Sequence, residues 1–134
     1  MYFVRVRERV MIAHSLRGEL FGPAQRRHGA TLIVEVELRG PDLTSEGVLV
    51  DIGRATTVLR EILSSLAYCD LDEHPDFAGQ NSTTEVVARW IFTQMAAAIR
   101  AGRLGPGAEG LTELVVDIAE SDIARAGYGG QLRD

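Results

Sequence analysis

The stretch "FVRVRERVMIAH", residues 3–14, alternates apolar and charged side chains, and a period of two commits it to a half-buried strand. Val4, Val6, Val10, Ile12 and His14 fall on one face; Arg5, Arg7 and Arg9 fall on the other. A second strand, about residues 30–39, sets Leu32, Val34, Val36 and Leu38 opposite Glu35, Glu37 and Arg39, the pattern of an antiparallel sheet with one face in water. Gly40 and Pro41 close it. His14 ends the first apolar row and His28 stands at the start of the second strand. Residues two apart on a strand share a face at roughly 7 Å, so the residue that would pair with His28 is position 30, which is alanine.

After the loop "GPDLTSEG" the period changes. In "VLVDIGRATTVLREILSSL", Ile52, Ala55, Leu59, Ile62, Leu63 and Leu66 recur at helical spacing, with Asp51 as the N-terminal cap. A polar stretch, "CDLDEHPDFAGQN", leads to "STTEVVARWIFTQMAAAIRAG". There Ser82 and Glu85 have capping-box spacing, Val87, Trp90, Ile91, Met95 and Ile99 form the buried stripe, and Gly102 is the stop. The box accounts for Glu85, and the stripe accounts for Trp90 and Met95 as core. A third strand is expected at about 111–119, carrying Leu114, Val116 and Ile118, and a fourth near Ile123 to Gly127. The order is α+β: two strands, two helices, two strands.

A chain of 134 residues fits one domain, 1–134, with a core that needs no staples. Its 46% hydrophobic and 25% charged residues and formal charge of −5 are those of an ordinary soluble globular protein. That charge argues against nucleic acid as a partner, so the arginines of the first strand, and Arg26 and Arg27, are read as solvated or as local partners of carboxylates. No apolar stretch is long enough for a membrane span. Cys69 is the only cysteine and "MYFVRVRERV" lacks an apolar signal core, so a cytoplasmic location is expected.

Strand-end histidines in this element order resemble the 6-pyruvoyl-tetrahydropterin synthase and 6-carboxytetrahydropterin synthase family. The likeness covers nearly the whole chain. A histidine ends the first strand, a His-Gly pair opens the second, and "GVLVDI" is similar to the family's Gly-Met-Val-x-Asp-Phe entry to the first helix. "NSTTEVVARWI" is similar to its Asn-Pro-Thr-x-Glu-Asn-x-Ala-x-Trp-Ile segment, and "VVDIAES" to its strand ending in Glu-Thr or Glu-Ser. The resemblance implies a T-fold, a four-stranded antiparallel sheet with two helices inserted between strands 2 and 3. Its strands pair between subunits into a trimeric barrel that stacks into a hexamer, with active sites between subunits. Open sheet edges are a physical reason to expect a homo-oligomer.

The family's zinc is held by the first-strand histidine and both histidines of a His-Gly-His. Here those places are His14, His28 and Ala30, which leaves zinc two of three ligands, whereas a catalytic zinc usually has three from the protein. The family's cysteine nucleophile or base lies in the stretch occupied by "GPAQRR", which has none. Its Leu-Asp-His aligns with Leu66-Ala67-Tyr68; an alternative alignment puts Asp72 and His74 in those roles. Cys69, beside the same loop, is a thiol from a different position, and an unactivated cysteine is the blander reading.

Glu120 ends the third strand where the family's glutamate accepts two hydrogen bonds from the amino-pyrimidine edge of a pterin, a contact a planar carboxylate makes well. Three functions follow from the resemblance. One is an enzyme acting on a reduced pterin or related heterocycle with altered lyase-type side-chain chemistry, Glu120 anchoring the ligand and His14 or His28 moving protons. Another is a zinc-dependent 6-carboxy- or 6-pyruvoyl-tetrahydropterin synthase whose third metal ligand is replaced, by His74, a carboxylate or a water. The last is a T-fold protein that binds or builds without catalysis.

Overall fold

A computed structural model describes residues 1–133. Four strands, β1 (Tyr2–His14), β2 (His28–Gly40), β3 (Glu113–Ala119) and β4 (Arg125–Gln131), form one antiparallel sheet in the order β1-β2-β3-β4. Two helices, α1 (Ile52–Ser64) and α2 (Thr84–Arg100), lie between β2 and β3 in sequence. α1 packs on β1, and α2 packs on β3 and β4.

Alternation decides which face the helices cover. Val6, Val10 and Ile12 of β1, Leu32, Val34, Val36 and Leu38 of β2, and Leu114, Val116 and Ile118 of β3 are all buried. At roughly 1.5–3 kcal/mol for each fully buried aliphatic side chain, this row is the main reason the strands hold one register. Glu8 interrupts the β1 row, and Arg60 of α1 meets its carboxylate at 3.0 Å. On the opposite face Arg5 stands across from Glu37 and Arg7 across from Glu35, at 2.6 and 3.0 Å, while Arg39 bridges Glu37 and Glu113. Arg5, Arg7 and Arg39 are therefore partners of local carboxylates, and Arg27 likewise meets Asp70 at 2.7 Å.

The helix ends follow local chemistry, with one departure from expectation. Asp51 caps α1, accepting the Arg54 N–H. α2 is capped by Thr83, whose hydroxyl accepts the Val86 N–H, rather than by Ser82. The Ser82 side chain is buried and turned away to meet His14. Gly102, at φ +79°, ends α2 in a Schellman motif: Gly102 N–H donates to Ile99 and Arg103 N–H to Ala98. Ile52, expected in the α1 stripe, is exposed, and Val58 is buried in the row with Ala55, Leu59 and Leu63.

β4 runs later than the expected Ile123–Gly127 because glycines hide its alternation. A Cβ on Gly127 would lie 2.2 Å from the Val116 carbonyl oxygen, so the close approach of β4 to β3 demands glycine there. The link from α1 to α2 follows the outer edge of β1: Tyr68 N–H donates to Met11, and Ala13 N–H to the Cys69 carbonyl. Tyr68 is the one non-glycine residue with positive φ among the described residues, at 57°. This strapping brings Asp70 and Asp72 to the His14 end of the sheet. Among the described residues no helix is long and apolar enough to cross a membrane.

Candidate functional site

His14 and His28 are register partners across β1 and β2, one at the end of its strand and one at the start. Their rings meet edge to face with centroids 4.7 Å apart. Each ring is fixed through Nδ1. His14 Nδ1 lies 2.9 Å from the Ser82 carbonyl oxygen and 3.0 Å from its hydroxyl, and His28 Nδ1 lies 2.8 Å from the Arg26 carbonyl oxygen. A carbonyl only accepts, so both Nδ1 atoms carry the proton, and in the neutral rings both Nε2 atoms hold a lone pair. Neither Nε2 has a hydrogen-bond partner among the described residues. Thr44 Oγ1 is the one buried side-chain polar atom without a partner among them, so the His14 Nε2 keeps contact with solvent.

Burial, and after it the neighbouring His28, hold the His14 imidazole below its ordinary pKa, against the opposing effects of the Ser82 carbonyl, Asp72 and Glu120. His14 is therefore neutral at pH 7, with Nε2 ready to accept a proton. Asp72 accepts the Ser15 N–H at 3.1 Å and the Ser15 hydroxyl. Burial works to raise the Asp72 carboxyl, but the Ser15 hydrogen bonds and Arg27 outweigh it and hold it low. A hollow of about 210 Å³ opens beside this pair, lined by Ser15, Arg17, Asp72, Phe77, Gly79 and Gln80.

Glu120 follows β3 directly, and the alternation of Leu114, Val116 and Ile118 puts it on the helix-covered face with the histidines. Its side chain is exposed. Ala119 stands opposite Ile33, so Glu120 is level with Leu32, four residues along β2 from His28, or roughly 14 Å. The half-buried Ala30 lies between the levels of the carboxylate and the imidazoles on the same face.

His74 is placed elsewhere. Its Nδ1 accepts the Asp76 N–H at 3.1 Å, and its ring packs against Phe77 and Trp90, whose indole N–H donates to Asp76 at 2.8 Å. The Cys69 thiol points back to the Ser65 and Ala67 carbonyls. Ser82 is the site residue that sequence reasoning missed. The capping signal of the Ser-Thr-Thr run obscured it, and with three hydroxyl residues in a row, only the fold shows which one caps.

The donors present do not fit a three-ligand zinc centre. Ala30 stands opposite Ile12 and packs against the core, and Asp72 is committed to Ser15. No group of three histidine, cysteine or carboxylate side chains among the described residues is placed to hold a metal ion.

Compared with known proteins, the sequence matches the 6-pyruvoyl tetrahydropterin synthase family over residues 3–131. The chain belongs to that family. It is 30% identical over 93 residues to the 6-carboxy-5,6,7,8-tetrahydropterin synthase of Bacillus subtilis, an alignment covering 66% of this chain and 61% of the relative, less than two thirds of that relative's length. The 6-pyruvoyl tetrahydropterin synthase of Caenorhabditis elegans shares the fold, with TM-score 0.76 and 20% identity over 97% of this chain and 94% of the other. That of Plasmodium vivax gives TM-score 0.73 and 14% identity over 98% and 99%. This chain carries a strand-end histidine pair and a strand-end glutamate on a four-stranded sheet, with alanine at position 30.

Proposed function

We propose that this chain binds a reduced pterin or a related amino-heterocycle between Glu120 and the His14–His28 pair, and acts on the ligand's side chain by lyase-type chemistry altered from that of its family. The observation that carries the reading is the histidine pair itself: two imidazoles locked in one tautomer by backbone carbonyls, with both Nε2 atoms free. A core histidine kept only for packing has no need of that arrangement.

In this reading Glu120 anchors the heterocycle. A carboxylate accepts two parallel hydrogen bonds from an amino group and an adjacent ring N–H, and the charge-assisted pair fixes the ring in plane. Anchoring at one end presents the other end of the ligand to the imidazoles. His14, neutral and buried, is the general base, its Nε2 taking a proton from the side chain while the Ser82 carbonyl orients the ring through Nδ1. His28 stands beside it to relay or return the proton.

We place a second subunit beside Glu120, which is exposed on the single chain. The outer edge of β4 has no partner strand among the described residues, and the strap along β1 covers only its Met11–Ala13 end. Such edges pair with further copies of the chain, giving a homo-oligomer built as a barrel, a hexamer in its full form.

Calorimetric titration of reduced pterins, pterin and guanine into the parent protein and Glu120→Gln tests the anchor. The substitution replaces one acceptor with a donor facing a donor and should weaken binding by about 2–4 kcal/mol, with the fold intact. Equal binding by both proteins, or no binding by the parent, would remove the reading.

A further inference from the structure

We infer that Asp72 and Asn81 are positioning residues for His14: their side chains carry the outer edge of β1 past its last residue, and so fix where the imidazole stands against Ser82. What His14 then does rests on the pterin-pocket reading above; how it is held does not.

On an edge strand alternate N–H groups point outward, and each needs an acceptor. Ala13, Ser15 and Arg17 form such a set. The Ala13 N–H donates to the Cys69 carbonyl at 2.9 Å. For the next two, side chains stand in for a neighbouring strand. The Ser15 N–H meets both carboxylate oxygens of Asp72, at 3.2 and 3.1 Å, and the Ser15 hydroxyl donates to the same group. The Arg17 N–H donates to Asn81 Oδ1 at 2.8 Å, and the Asn81 amide returns a bond to the Arg17 carbonyl at 2.8 Å. That reciprocal exchange is the one two antiparallel strands make. Leu16 N–H, between them, donates to the Ala24 carbonyl at 3.0 Å. Residues 13–17 thus keep a strand's alternation of hydrogen bonds, although β1 itself ends at His14.

Neither side chain serves the helix end beside it in this way. α2 is capped by Thr83, and the Leu71–Glu73 turn by Asp70, so Asp72 and Asn81 are committed to β1. His14 and Leu16, the residues between the three outward N–H groups, are both buried. Ser82 follows Asn81 directly and supplies the carbonyl that holds His14 Nδ1 at 2.9 Å. The imidazole is therefore fixed from two ends, by its own backbone and by a carbonyl one residue after Asn81. Opening the Asn81 clamp loosens both together. His28 has no such dependence: its Nδ1 meets the Arg26 carbonyl, two residues back in its own chain.

Two readouts separate positioning from ordinary stabilisation. In the parent protein the Ser15 and Arg17 amides should exchange with deuterium at least about 100-fold more slowly than free peptide amides. Exchange at the free rate would overturn the inference without any variant. Imidazole nitrogen NMR of the unliganded parent should show a protonated Nδ1 on both His14 and His28. Asn81→Ala and Asp72→Ala should each move the His14 signals toward the average of two tautomers and leave those of His28 in place. Asn81→Asp keeps an acceptor for the Arg17 N–H, and Asp72→Asn keeps one for Ser15; both should restore most of the parent pattern. Ile99→Val, a buried change in the last turn of α2, lowers stability away from the clamp and should leave both rings as they are. His14 signals that stay in place in both alanine variants, or that move as far in Ile99→Val, would overturn the inference. Calorimetric titration of 6-methylpterin reads the link to the site: Asn81→Ala should bind it roughly 10-fold more weakly than the parent. Equal binding by the two would overturn the positioning role. A parent that binds no pterin, with a His14 ring that still responds to Asn81→Ala, would remove the pterin pocket and leave the clamp standing.

Discussion

Placing a histidine at position 30 should turn a pair of acceptors into a zinc site. Position 30 shares the face of His28 two residues along β2, and His28 is the register partner of His14, so three imidazoles would converge from two adjacent strands. Zinc accepts nitrogen at about 2.0–2.1 Å in a tetrahedral arrangement that leaves its fourth position open. Without metal, Ala30→His should cost about 1 kcal/mol, because a polar ring replaces a methyl packed against the core. With free zinc at a hundred times its dissociation constant, binding should return about 2.7 kcal/mol. For a chain of 134 residues each kcal/mol moves the melting temperature by roughly 3–5 °C, so zinc should raise that of the variant by about 10 °C. The parent protein should move by little. Equilibrium dialysis against zinc, with thermal melts of both proteins, reads the two quantities. A variant that bound zinc no better than the parent, or a parent already holding one zinc per chain after purification without a tag, would refute the geometry argued here.

Ser82→Ala should cost about 1 kcal/mol in chemical denaturation and weaken ligand binding by loosening the His14 ring, whereas Thr83→Ala should cost a similar amount through the helix cap and leave ligand binding alone. Glu37 supplies an acid-sensitive element: burial works to raise its carboxyl, but Arg5 and Arg39 outweigh it and hold the folded pKa below the ordinary 4.5. A depressed folded pKa means that this contribution is complete above about pH 4.5 and is lost as pH falls through the lower folded value, so urea midpoints of Glu37→Gln should decline less steeply in that range than those of the parent. Asp72→Asn should act in the same direction, starting near its ordinary 3.8. Light scattering at micromolar concentration should give a mass several times 14.6 kDa; a monomeric mass would contradict assembly through the sheet edges.

The strands that alternate were legible, and those that do not were misplaced. β1 and β2 could be read residue by residue because valines and arginines take turns, and the cross-strand Arg5–Glu37 and Arg7–Glu35 pairs use the charges that the alternation left outside. β4 could not, since three of its seven residues, Gly127, Gly129 and Gly130, have no side chain to show a face; the need for glycine comes from the approach to β3, which the sequence does not display. The site divided in the same way. His14 and His28 stood at recognisable strand ends, so their pairing followed from register. Ser82 looked like a cap, because a hydroxyl before a helix normally serves the helix, and only the packing of α2 against the sheet turns it toward His14. Tautomers were out of reach of the sequence altogether: they depend on where the Ser82 and Arg26 carbonyls point, which is a property of the folded backbone.

The most direct test is a crystal structure of the protein with a bound pterin, grown in metal-free conditions. The heterocycle should lie on the helix-covered face of the sheet, its amino group and neighbouring ring N–H both on the Glu120 carboxylate and its C6 side directed at His14 and His28. A pterin bound away from Glu120, or with this edge facing solvent, would contradict the account at its centre.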